Sequence, residues 1–255
     1  MDQKILTKLD DGVLTLTLNR PEKKNALTAE MYSKIDEAII HAENEPSIKV
    51  VLITGYGDIF TSGNDIEDFL SQPISNDSPV VKFLLRISST DIPIIAAVNG
   101  PAIGVGTTML LHCDKVFATE DSNFATPFTS LGVVPEAGSS LLMPKYLGYQ
   151  TAARLLMFSE SLSCDEALSC GLISQKCESS DLHNNALAEA KKIAKLPKNT
   201  VRKAKMMMRR VEEPLTDRVI YEMQEFGSAL HSPESREAML AFIEKRPPDF
   251  SKIDS

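Results

Sequence analysis

Alternation is the first pattern along the chain. Residues 13–19 read VLTLTLN, apolar side chains on one face and threonines on the other, between Gly12 and Asn19-Arg20-Pro21. That period of two predicts a strand. Residues 49–54 (KVVLIT) and 93–98 (PIIAAV) are short apolar runs that predict buried strands, and residues 115–119 (KVFAT) supply a fourth. Thr28 with Met31, Ile35, Ala38 and Ile39 has helical spacing, Thr28 standing at the N-cap. Gly55-Tyr56-Gly57 and residues 60–65 (FTSGND) are turns, the second leading into a helical IEDFL. Strand–helix–strand alternation predicts an α/β fold whose crossovers cover a sheet. After Gly138 the spacing turns mainly helical, at residues 150–158, 164–169, 182–196, 201–211, 216–230 and 232–245. The last opens on Ser232-Pro233-Glu234-Ser235, read as a capping box. This part is expected to be a helical extension that packs on a neighbour, the core spanning 1–200 and the C-terminal helical region 201–255.

Composition narrows the class. The 255 residues are 43% hydrophobic and 24% charged, an ordinary globular balance with ample material for one large core. A net charge of −8 argues against a general nucleic-acid binder or a binder of anionic membranes. The four cysteines, Cys113, Cys164, Cys170 and Cys177, have neither CxxC nor zinc-finger spacing, so reduced thiols are expected and no metal site. Asp2, Lys4, Lys8, Asp10 and Asp11 break any apolar leader, and the last residues are not a peroxisomal tripeptide; a cytoplasmic location is expected.

Candidate chemistry gathers in residues 92–138. Asn99-Gly100-Pro101 stops the third strand, Gly104 and Gly106 bracket Val105, and a helix-compatible TTMLLHCD follows. A strand, a glycine turn and a helix start leave first-turn N–H groups without internal partners, and the helix dipole favours a negative oxygen in front of them. Ser62-Gly63-Asn64-Asp65 is a second turn of this kind. Two such donors converging on one point would stabilise an oxyanion; each turn taken alone reads equally as a plain glycine loop. The Gly104/Gly106 pair has no third glycine for a dinucleotide fingerprint. Glu136, near Leu131, Val133 and Val134, is a candidate base whose apolar company should raise its basicity, or else a surface loop acid. Residues 20–24 and Lys245-Arg246 are local basic spots on an acidic chain, suited to phosphates or merely solvated. His112 reads as a core or surface histidine, the 205–210 run (KMMMRR) as a helical turn with one wet and one packed face, and Asp65 as a turn-shaping acid.

Residues 18–28 (LNRPEKKNALT), 60–69 (FTSGNDIEDF), 93–106 (PIIAAVNGPAIGVG) and 131–140 (LGVVPEAGSS) together resemble the crotonase superfamily of acyl-CoA enzymes, and SCDEALSCGLISQ and AFIEKRPPDF carry the resemblance to the end of the chain. It implies an α/β spiral of ββα units with a C-terminal helical trimerisation region, assembled as a homotrimer or hexamer. It implies that the N–H groups of Asn64 and Val105 hold a thioester oxygen, with Ser62, Gly63, Asp65, Ile66 and Gly106 around the substrate. Lys23, Lys24 and Ala26 would lie along coenzyme A, and Lys245 would face its phosphates. The partner is then an acyl-CoA thioester, coenzyme A being part of the substrate, with no metal or redox cofactor. The departures bear on the reaction. Hydratases of this superfamily use two glutamates, at positions where this chain has Thr108 and Phe128, and neither residue titrates. Glu136, in PEAGSS, resembles the base of the peroxisomal-type Δ3,Δ2-enoyl-CoA isomerases, which need one carboxylate for a 1,3-proton shift. A dienoyl-CoA isomerase, a hydratase-like enzyme, a thioesterase and a catalytically silent acyl-CoA-binding or partner-binding module are the alternatives.

Overall fold

Leu14, Leu16 and Leu18 enter one hydrophobic core while Val13 enters a second on the opposite face of the same sheet, so the period of two becomes two layers. The computed structural model of the chain describes residues 3–70, 75–209, 213–250 and 253. The strands are β1 (Ile5–Asp10), β2 (Val13–Leu18), β3 (Val50–Gly55), β4 (Ile94–Val98), β5 (Ala102–Ile103), β6 (Lys115–Thr119), β7 (Asn123–Ala125), β8 (Ser161–Ser163) and β9 (Gln175–Cys177). Among the described residues, β1-β2-β3-β4-β6-β9 form one sheet in that order and β5-β7-β8 a smaller one. β1 and β2 make an antiparallel hairpin, and every later neighbour in the large sheet is parallel. Asp11 and Gly12, at φ +47° and +80°, are the two-residue turn of the hairpin, a geometry that matches strand twist.

Helix α1 (Ala29–Asn44) is capped by Thr28, whose Oγ1 accepts from the Met31 N–H at 3.4 Å. It buries Met31, Tyr32, Ile35 and Ile39, and Tyr32 meets Phe83 of α3 at a ring separation of 5.3 Å. α2 (Ile66–Leu70) and α3 (Pro79–Ser89) precede β4; α4 (Val105–Thr108) follows β5. α5 (Ser139–Leu147), α6 (Tyr149–Leu156) and α7 (Cys164–Ser169) come next. α8 (Leu182–Ala194) lays Leu182, Ala186, Ala190 and Ala194 on Val50, Leu52, Ile95, Ala97 and Phe117. This helix therefore covers its own sheet. The four cysteines are unpaired, and no described helix is long and apolar enough to cross a membrane.

α9 (Lys198–Met208), α10 (Leu215–Leu230) and α11 (Pro233–Glu244) complete the chain, α9 running across residue 200. The expected wet face of the 205–210 run is corrected here, Arg210 lying outside the described residues. Lys205 is 3% exposed; its Nζ donates to Asp114 Oδ2 at 2.8 Å and to Ile92 O at 2.6 Å. Arg209 donates to the carbonyls of Thr90 and His112. These cations bolt α9 to the start of β4 instead of facing solvent. Ser232 caps α11 by accepting from the Ser235 N–H, but that third position holds a serine, so no glutamate returns the bond. The reciprocal capping box lies at Ser163 and Glu166 of α7. α10 buries no residue and α11 only Glu234 and Ala241; Leu215, Ile220, Met223, Phe226, Phe242 and Ile243 stand exposed.

Candidate active site

Three chain segments lie side by side ahead of α4. Lys24 and Asn25 both adopt left-handed φ, +53° and +54°, and Asn25 is wholly buried. Its amide makes that turn affordable: Nδ2 donates to the carbonyls of Tyr56 and Ile59, and Oδ1 accepts from the Arg20 N–H. Thr61 Oγ1 donates to Asn25 O, the Ser62 N–H to Lys24 O, the Leu27 N–H to Gly63 O and the Asp65 N–H to Leu27 O. On its other flank, Thr61 forms a parallel bridge with Ala102, and the Ile103 N–H donates to Thr61 O at 3.0 Å.

Asn64 and Val105 each stand three residues beyond that bridge, so the register brings the two amides to one place. The residue before each is a glycine in the left-handed region, Gly63 at φ +93° and Gly104 at +58°. The turns touch: a Cβ on Gly63 would lie 3.0 Å from Ile103 O and 3.9 Å from Gly104 Cα. Val105 opens α4, and neither its N–H nor that of Asn64 has an acceptor among the described residues. Two unsatisfied amides at adjoining glycine turns, one of them at a helix start, form a candidate site for a negative oxygen.

Glu136 reaches the same helix from another direction. Its half-buried carboxyl accepts from Thr108 Oγ1, on the last residue of α4. Burial pushes its pKa above the ordinary glutamate value, while the Thr108 hydroxyl, by favouring the charged form, pulls the other way. The expected source of that burial is corrected. Leu131, Val133 and Val134 are 63%, 49% and 79% exposed and point away; the carboxyl is desolvated because it turns inward onto α4. Tyr32 lies close enough for the Glu136 charge, after burial, to raise its pKa further, and its phenol donates to Asn64 Oδ1. Phe128 is buried.

The other expected residues divide. Asp65 joins Arg20 at 2.6 Å and accepts from the Asp68 N–H, the Arg20 bond holding its carboxyl below the usual range. Ala26 is buried and Ser62 half-buried beside the turns, Lys23 and Lys24 are exposed at their edge, and Ile66 is exposed on α2. Gly106 packs so tightly that a Cβ would fall 2.5 Å from Thr61 Cγ2. Lys245 is apart: it is exposed at the C-cap of α11, and among the described residues no bond joins it to the three segments. Tyr32, Asn25 and His112 went unread as site residues, because each falls on an otherwise apolar or turn-forming stretch. No group of three His, Cys, Asp or Glu side chains is placed to hold a metal ion among the described residues.

The enoyl-CoA hydratase/isomerase family profile matches residues 8–253. Enoyl-CoA delta isomerase 2 of Rattus norvegicus is 34% identical over 251 residues, covering 95% of this chain; the chain spans 64% of the rat protein's length. A Mycobacterium bovis protein provisionally named an enoyl-CoA hydratase is 31% identical over 250 residues, covering 97% of each chain. A solved structure from Magnetospirillum magneticum AMB-1, provisionally described as an enoyl-CoA hydratase/carnithine racemase, superposes with a TM-score of 0.95 at 40% identity, over 98% of this chain and 100% of its own. On these matches the chain belongs to the enoyl-CoA hydratase/isomerase family of the crotonase superfamily.

Proposed function

We propose that the protein is a Δ3,Δ2-enoyl-CoA isomerase, moving the double bond of cis- or trans-3-enoyl-CoA to the trans-2 position in fatty acid β-oxidation. The thioester oxygen sits on the Asn64 and Val105 amides. Glu136 removes a proton from C2, the negative charge spreads onto the oxygen as a dienolate, and the same carboxyl returns the proton at C4. Lys23, Lys24 and Ala26 follow the coenzyme A, and Lys245 faces its phosphates from a neighbouring copy. The bare apolar faces of α10 and α11 support assembly as a homotrimer or hexamer.

The observation that carries this reading is the Glu136–Thr108 contact. A hydroxyl that cannot titrate stands where a hydratase would keep a glutamate, and it is engaged by the one carboxyl that reaches α4 among the described residues. Hydration needs a second group to activate or protonate water; a 1,3-shift needs one base. Relatives bearing hydratase names are as similar as those bearing isomerase names, so the assay decides. The conversion of cis- and trans-3-enoyl-CoA to the conjugated thioester is measured beside hydration of crotonyl-CoA. Isomerisation in large excess, lost in Glu136→Gln with coenzyme A affinity kept, is the expected result. Dominant hydration, or a Glu136→Gln variant as fast as wild type, refutes it.

A further inference from the structure

His112 is a buried imidazole for which the proton shift has no direct use. It ends the short 3-10 continuation of α4 (Met109–His112) and is 6% exposed. Its Nε2 lies 2.8 Å from the carbonyl oxygen of Ala137. A carbonyl can only accept, so Nε2 carries the proton and donates. Ala137 follows Glu136 directly and sits at φ +54°, where an alanine is held only by its surroundings. The carbonyl of Glu136 itself is bound by the Ser139 N–H and Oγ, at 2.9 and 2.7 Å. The two carbonyls that follow the Glu136 side chain along the chain are therefore both occupied, one by the start of α5 and the other by His112.

The main chain of His112 is in turn held from behind. Arg209 Nη2 donates to His112 O at 2.7 Å, and Arg209 Nη1 donates to Thr90 O at 3.2 Å. Burial first, then the nearby charges of Arg209 and Lys205, keeps the ring's pKa below the ordinary histidine value, the Ala137 bond acting against them. A neutral ring holding one N–H on a strained peptide is a fixed strut, not a proton shuttle.

We propose that His112 is a positioning residue for Glu136: through the Ala137 carbonyl it holds the turn just after Glu136 and so keeps the carboxyl aimed at Thr108 and the two free amides. The inference rests on Glu136 being the base of the proposed isomerase. His112→Leu removes the donor, His112→Phe removes it while keeping a ring, and His112→Gln can still donate. The two variants without a donor are expected to lose about ten- to a hundredfold in kcat, as for a base displaced by a fraction of an ångström, with KM nearly unchanged; His112→Gln recovers most of the loss. A second readout is independent of turnover. In carbon-13 NMR of protein labelled at the glutamate carboxyls, the Glu136 signal (assigned by its disappearance in Glu136→Gln) should titrate closer to the ordinary glutamate value in His112→Phe, because a released carboxyl gains water. If His112→Leu and His112→Phe lose only thermal stability, with kcat and the Glu136 titration as in wild type, His112 merely fills the core and the proposal fails. Should Glu136→Gln retain full turnover, the isomerase reading falls, and the titration still decides the role of His112.

Discussion

The amides and the carboxyl that meet at this site are held by opposite means. The Gly63-Asn64 and Gly104-Val105 turns are set chiefly by main chain, through a parallel register, two positive-φ glycines and a close glycine contact, with the Thr61 hydroxyl bracing the Gly63 N–H. The Glu136 loop begins in exposed residues and is steadied by side chains, Thr108, His112 and Ser139. The difference implies that the two amide turns yield mainly to a change of backbone shape, whereas the Glu136 carboxyl can be detuned one side chain at a time.

Glu136→Gln is the strongest test of the second half. Removing a general base costs about 10²–10⁴ in kcat, with KM changed little, in steady-state assays with 3-enoyl-CoA. Stability should move the other way. The folded pKa of Glu136 lies above its unfolded value, so the group favours folding while protonated, and that contribution is lost as pH rises through the folded pKa. Calorimetry at pH 7 should find Glu136→Gln at least as stable as wild type, the advantage shrinking below the ordinary glutamate range.

Gly106→Ala attacks the first half. Its Cβ would collide with Thr61 Cγ2, and Thr61 cannot swing away, because its hydroxyl donates to Asn25 O and accepts from the Gly63 N–H. The two turns must part, and a loss of about 10²–10³ in kcat is expected, as for a missing oxyanion donor. A variant with near-normal kcat would break the distinction.

Thr108→Val should sharpen it. The wild-type kcat/KM is expected to rise with pH through a midpoint above the ordinary glutamate value, and loss of the hydroxyl that favours the charged form should move this midpoint up. The rate at neutral pH should fall about tenfold, the lower end of what one hydrogen bond to a charged group is worth. The smallest effect expected is Thr28→Ala, about 1 kcal/mol of stability by chemical denaturation, with kcat unaltered, because it frays α1 ahead of Tyr32 without touching either half.

Much of this was legible along the chain because it was local. The alternation at residues 13–18 and the apolar runs at 50–54 and 94–98 became strands, and Thr28 a cap, where the pattern placed them. β1 escaped, since ILTKLD is an edge strand with much of its length exposed, although Asp11-Gly12 was the signal that could have found it. α3 was not read from residues 79–89. Glu136 was picked out, but for apolar neighbours that point to solvent; its true surroundings come from α4, 28 residues earlier. Lys205 and Arg209 looked like a solvated face because their partners, Asp114, Thr90 and the His112 carbonyl, lie some ninety or more residues away. Pairings at such separation leave no mark on local periodicity.

The Thr61–Ala102 bridge has one more consequence. Because each amide is counted off from it, a deletion or insertion between 61 and 64, or between 102 and 105, would put the wrong peptide into the site and silence any reaction there. Residues 108, 128 and 136 carry no such counting constraint. A lineage could therefore trade one side-chain chemistry for another by point substitution, while the spacing of the two amide turns stays closed to change.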